Sequence, residues 1–216
     1  LFIKWEDNNT GSKGIANRIE QTDMSKLEVG NHLCSEKGCY DAVFFKHVED
    51  EFIEHPGDMV LVFHQIGSHG PAYYERYPKE FEKFKPACQT GELQDCSREE
   101  VLNAYDNTIL YTDYVLDGII QRLQDKQDSH DVAMLYVSDH GESTGEKGLY
   151  LHGTPFLFAP SQQTHVPMFL WASEGFLKNR GTQADCLRSR LDNTYSHDNF
   201  FHSVLGLLNL KTAVYD

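Results

Sequence analysis
Four short apolar runs stand out along the chain. The clearest is Val132-Ala133-Met134-Leu135-Tyr136-Val137, which is short, continuous and β-branched at both ends and therefore predicts a buried strand over Val132–Ser138. The same pattern predicts strands at Leu1–Trp5, Met59–His64 and Val166–Ala172. Between the Met59 and Val132 runs the periodicity changes. Leu102, Tyr105, Ile109, Leu116, Ile119, Ile120 and Leu123 recur at spacings of three, four or seven with one adjacent pair, which makes one face of a helix from about Arg98 to Lys126. Ser97 and Glu100 supply a capping-box signature at its start. Asn199 to Leu210, with Phe200, Phe201, Val204, Leu205, Leu207 and Leu208 apolar, predicts a buried C-terminal helix. Strands alternating with helices imply an α/β fold with a mainly parallel central sheet and helices on both faces.

Composition narrows this reading. A chain of 216 residues is one domain by size, and 40% hydrophobic with 24% charged residues is ordinary for a globular protein. No run approaches the ~18 apolar residues of a membrane span, and no signal peptide opens the chain. Leu1-Phe2-Ile3-Lys4-Trp5 reads as a strand already inside a fold. The expectation is therefore that the chain starts within a longer protein and that its sheet is incomplete at the N-terminus. A formal net charge of −14 argues against nucleic-acid binding and gives no global attraction for an anionic lipid. A phosphate-bearing substrate would have to be attracted locally, by bound metal, Lys13 and histidines. The five cysteines include two pairs close in sequence, Cys34 with Cys39 and Cys88 with Cys96, each bracketing a polar, Gly-containing loop. Such loops suit disulfides in an oxidising compartment, while a four-cysteine zinc site is the rival reading; Cys186 is left over.

The most informative motif is Ser138-Asp139-His140-Gly141-Glu142, placed where a predicted strand ends. A hard carboxylate and a borderline imidazole form a zinc-type ligand pair if the chain turns after them, and Gly141 is read as the residue that allows the turn. An Asp capping the next segment beside a surface histidine is the plainer alternative. Asp7-Asn8-Asn9-Thr10-Gly11-Ser12-Lys13-Gly14, His64-Gln65-Ile66-Gly67-Ser68-His69-Gly70-Pro71 and Leu151-His152-Gly153 place further amide, hydroxyl, ammonium and imidazole groups in loops. Asn8-Asn9-Thr10-Gly11 is also strong turn sequence.

Taken in order, these motifs, with Gly145-Glu146-Lys147-Gly148-Leu149-Tyr150-Leu151-His152-Gly153, Val166 to Trp171 and Tyr195-Ser196-His197-Asp198-Asn199, resemble the phosphoethanolamine transferases that modify lipid A. That family includes the mobile colistin-resistance enzymes and belongs to the alkaline phosphatase superfamily. The resemblance implies the C-terminal part of a periplasmic catalytic domain, residues 1–216, with N-terminal strands, nucleophile and membrane anchor upstream. It implies zinc, one ion or two, with Asp139 and His140 as ligands. His69 and His152 would be catalytic and substrate-binding, and Glu142 would orient a ligand or grip an ammonium. Asn9, Thr10 and Lys13 would bind the phosphate. The family's short-loop disulfides imply Cys34–Cys39 and Cys88–Cys96. His64 is read as a hydrogen-bonded structural residue. His197 is a less secure match to a late metal-centre histidine, with Asp198 complementing the start of the last helix.

The reaction so implied moves phosphoethanolamine from phosphatidylethanolamine to lipid A through a phospho-threonine at the periplasmic face of the bacterial inner membrane, by a monomer that binds no nucleic acid. Its outcome is colistin resistance. Another superfamily enzyme, such as a phosphodiesterase or phosphoglycerol transferase, and an inactive metal-binding fragment are the competing readings. A sulfatase is disfavoured: its C-x-P/A-x-R motif is approached only by Cys186-Leu187-Arg188-Ser189-Arg190, with Arg at the third position.

Overall fold
The computed structural model describes residues 1–24 and 32–214. Its strands are β1 (Phe2–Asp7), β2 (Glu20–Asp23), β3 (Cys34–Ser35), β4 (Gly38–Cys39), β5 (Met59–His64), β6 (Ala133–Val137), β7 (Ser143–Thr144), β8 (Tyr150–Leu151) and β9 (Met168–Ala172). Its α-helices are α1 (Phe44–Glu54), α2 (Arg98–Gln124), α3 (Ser161–Thr164), α4 (Glu174–Asn179), α5 (Ala184–Arg188) and α6 (Asp198–Leu207). None of the described helices is long and apolar enough to cross a membrane.

The chain divides into two compact units interleaved in sequence. The first comprises Leu1–Arg122 and His140–His165. Its sheet is parallel, in the order β2-β1-β5, so the expected α/β architecture with a parallel sheet is present. Asp7 pairs in register with His64, so the Asn8–Gly14 loop and the Gln65–Pro71 loop leave the same carboxyl edge. That edge is where parallel sheets present chemistry. Helix α1 lies over β1 through charge as well as packing. Lys4 Nζ lies 2.5 Å from Glu51 Oε1, and buried Glu6 sits 3.2 Å from His47 Nδ1. Phe44, Met24, Val43 and Cys39 make one apolar cluster. A second contains Tyr73, Cys88, Leu93, Val101 and Ala104, gathered under the start of α2. The capping box forms: Ser97 Oγ accepts from Glu100 N at 3.3 Å, and Ser97 N donates to Glu100 Oε2 at 2.7 Å. Both expected disulfides are present, Cys34–Cys39 across the β3–β4 hairpin and Cys88–Cys96 inside the second cluster, and Cys186 is free and exposed.

The second unit comprises Leu123–Asp139 and Val166–Asp216. Here β6 and β9 pair antiparallel, with Leu135 opposite Leu170. Two apolar runs announce two strands, yet their relative direction depends on how the intervening chain returns, which neither run encodes. The last helix also departs from expectation. Helix α6 forms at the predicted place, but it has no buried residue, and Phe201 is 55% exposed. Apolar side chains prefer burial only where a surface is present to cover them.

Candidate active site
The site is built on the first unit. β5 ends at His64, whose Nδ1 lies 2.6 Å from Asp7 Oδ1, so this histidine is hydrogen-bonded as expected. The loop that follows is held from below by Asp41, which accepts from Ile66 N at 3.1 Å and Gly67 N at 2.8 Å, and from the Asn8 amide at 2.7 Å. Complete burial pushes the Asp41 carboxyl up, and these hydrogen bonds work against that shift. Arg76 Nε donates to His69 O at 2.8 Å and fixes the far side of the loop. Gly70 is required for space: a Cβ there would meet Leu151 Cδ2 at 2.5 Å and the Tyr73 ring at 2.9 Å. The same is true of Gly141, whose φ is not positive. A Cβ on Gly141 would meet the Gln162 carbonyl oxygen at 2.0 Å. Beside the bend at Asp139, this glycine thus also admits a neighbouring backbone.

These constraints bring His69, His140 and His152 together. Each offers a ring nitrogen, and these nitrogens lie within 4.8 Å of one another, the one such group of three or more metal-type side chains among the described residues. The His140 and His152 rings stack with centroids 4.0 Å apart, and His69 is 5.0 Å from His152. All three Nδ1 atoms face acceptors. His69 Nδ1 lies 2.7 Å from Gly70 O, His140 Nδ1 3.1 Å from Gly141 O, and His152 Nδ1 3.0 Å from Glu142 Oε1. A carbonyl or a carboxylate only accepts, so each Nδ1 carries a hydrogen, and in a neutral ring that leaves Nε2 as the ligating nitrogen. Three imidazoles with ring nitrogens this close suit a zinc-type cation, and a carboxylate behind a ligating imidazole is the usual support for one.

Glu142 is buried, 6% exposed, and accepts three hydrogen bonds: from His152, from Gly70 N at 3.2 Å and from the Tyr73 hydroxyl at 2.9 Å. Burial first, and then the Glu142 charge, push the Tyr73 phenol far above its ordinary value, so it remains a donor. Tyr73 and Asp41 were not singled out from the sequence. Each acts on partners distant in the chain, and a run such as Ala72-Tyr73-Tyr74-Glu75 carries no sign of which tyrosine turns inward.

The other expected site residues stand as follows. Lys13 is exposed with φ at 50°, and its Nζ lies 2.7 Å from Thr10 Oγ1. Asn9 Oδ1 accepts from Thr10 N at 2.8 Å. Asn9 and Thr10 line a cleft of about 440 Å³ together with Lys37, Tyr40, Tyr74 and Arg76. Asp139 is exposed and ends the second unit's first segment, while its neighbour His140 opens the segment that carries the histidine group. His197 Nε2 lies 2.8 Å from Ser138 O within the second unit, and Asp198 opens α6.

A parallel α/β sheet beside a group of three imidazoles that could hold a metal ion gives the class of the fold and its candidate site, and comparison with known proteins names the family. The sulfatase family model matches residues 2–210, and the chain belongs to that family, within the alkaline phosphatase superfamily. It is 45% identical to "Phosphoethanolamine transferase EptA" of Salmonella typhimurium over 217 residues, covering 100% of this chain and 39% of that protein. It is 38% identical to "Phosphatidylethanolamine transferase Mcr-1" of Escherichia coli, over 97% of this chain and 38% of that protein. The soluble domain of lipooligosaccharide phosphoethanolamine transferase A from Neisseria meningitidis superposes with a TM-score of 0.94 at 39% identity, covering 100% of this chain and 65% of that domain. The chain thus spans about two fifths of the length of these curated relatives.

Proposed function
We propose that the protein to which this chain contributes transfers phosphoethanolamine from phosphatidylethanolamine to lipid A, with zinc and through a phospho-threonine, at the periplasmic face of the bacterial inner membrane. Colistin resistance is the proposed outcome. The observation that carries the reading is the His69–His140–His152 group with every Nδ1 beside an acceptor, in a chain similar along its length to proteins named phosphoethanolamine or phosphatidylethanolamine transferases.

His140 and Asp139 are the proposed ligands of one zinc, with His69 and His152 available to the same ion, to a second one or to the phosphoryl oxygens. Bound zinc would serve as a Lewis acid toward the phosphoryl group. The chain's own residues prepare that site. Glu142, 3.0 Å from His152 Nδ1, is proposed to orient this imidazole so that its Nε2 serves as the ligating nitrogen. Tyr73 and Gly70 hold Glu142 in place with two donated hydrogen bonds. Thr10 and Asn9 fix the Lys13 turn, and the three together are proposed to neutralise and position phosphate oxygens.

The test uses the full-length parent expressed in a polymyxin-sensitive bacterium. Lipid A is expected to gain phosphoethanolamine by mass spectrometry, and His140→Ala is expected to remove that gain while the protein accumulates normally. Normal modification by the variant would sink the metal assignment, and unmodified lipid A with the wild type would sink the reaction itself.

A further inference from the structure
The loop between β8 and α3 carries Phe156, Leu157 and Phe158 in succession, 86%, 85% and 75% exposed. Single exposed apolar residues are ordinary on a surface, but adjoining ones mark an interaction. The tip is held in a defined shape, because Phe158 N and Ala159 N both donate to Pro155 O, at 2.8 and 3.0 Å. Its base is pinned to the active-site strand. Buried Gln163 accepts from Thr154 N at 3.3 Å and donates to Ser143 Oγ at 2.9 Å, and its carbonyl accepts from Gly141 N at 3.0 Å. The close approach of Gln162 O to Gly141 belongs to the same seam. The apolar tip therefore moves with the residues on either side of Gly141, His140 and Glu142, and His152 lies just before it in the chain.

Charge identifies the occupant. Between Lys147 and Val166, within the first unit, the chain has no Asp, Glu, Lys or Arg, although 24% of all residues are charged and the net charge is −14. An acidic protein is repelled by an anionic lipid surface, and this segment lacks the charges that would be repelled. A protein partner would be met by a polar rim around an apolar centre, whereas hydrocarbon penalises any charge near it. Phe and Leu are side chains that settle below a headgroup layer. We propose that the Phe156–Phe158 tip enters the apolar layer of a lipid bilayer and so holds the histidine group against lipid headgroups. The proposal rests on the phosphoethanolamine-transfer reading, which supplies the lipid.

The experiment is flotation of the 216-residue chain with phosphatidylethanolamine–phosphatidylglycerol vesicles at low and high salt, beside Phe156→Ser/Leu157→Ser/Phe158→Ser. The wild type is expected to float at both salt concentrations, and the triple variant to partition at least about a hundredfold more weakly. A wild type that stays in solution, or a variant that floats equally well, overturns the proposal. In Leu157→Trp, the added indole is expected to shift to the blue on mixing with vesicles, relative to the wild type; an unshifted indole overturns the proposal too. If the triple variant loses only self-association by light scattering, the tip is a contact between copies and the proposal falls. Zinc content of the same samples and lipid A modification by the full-length parent keep the two readings apart. Loss of flotation with zinc retained concerns the tip, whereas failure of the full-length parent to modify lipid A counts against the transferase reading alone.

Discussion
Single side chains decide whether this site can hold a cation. An imidazole ligates only through a nitrogen without hydrogen, so the partner of the opposite nitrogen sets the donor. Glu142→Gln replaces an obligate acceptor behind His152 with an amide that can present either atom. Zinc affinity, measured by competition with a chelating dye, is expected to fall about ten- to hundredfold. Unchanged affinity would mean that Glu142 does not orient His152. Gly141→Ala drives a Cβ into the Gln162 carbonyl, a contact of 2.0 Å that only a backbone shift relieves. A loss of about 1–3 kcal/mol in urea unfolding is expected, and no loss would show that the seam yields freely. His69, His140, His152 and Glu142 were singled out because their motifs resemble a known family, not by a local pattern that marks a site by itself. Tyr73 was not: its partner Glu142 is 69 positions away, and only folding makes them neighbours.

Among the elements, those with strong local patterns formed as expected. Met59–His64 is a strand, and α2 begins at Arg98 behind its capping box. Ser97→Ala removes the acceptor for Glu100 N and is expected to cost about 1 kcal/mol in chemical denaturation; a smaller loss of under a few tenths would deny the cap a role. The pH dependence has a definite sign. Hydrogen bonds from the Ser97 backbone and hydroxyl hold the Glu100 carboxyl below its ordinary value. A lowered carboxylate contributes stability above its unfolded value and loses it as the pH falls through the folded one. Acid titration of stability should therefore be shallower in Glu100→Gln than in the wild type, and parallel titrations would contradict the linkage. Pairing direction and burial were less legible. β6 and β9 run antiparallel, and α6 keeps its apolar residues partly in water, since both properties belong to the surroundings of an element rather than to its own residues.

For the molecule as a whole, covalent links and charge are the testable properties. Five cysteines and two disulfides leave one thiol, Cys186, so thiol titration of the unfolded protein should give one equivalent before reduction and five after. Five equivalents before reduction would remove the argument for an oxidising compartment. Each short loop closed is expected to contribute about 2 kcal/mol to stability. The order of residue types along the chain was enough to give the α/β class and the long capped helix, because propensity and periodicity act between near neighbours; the disulfide pairing and the roles of the histidines came from the resemblance of their motifs to a family. Folding alone could turn each histidine Nδ1 toward an acceptor, make Glu142 the hub of three hydrogen bonds, and press the apolar tip's base against Gly141. Those features are contacts between segments far apart in sequence, fixed by packing and by the need to satisfy buried polar groups, and no local pattern encodes them.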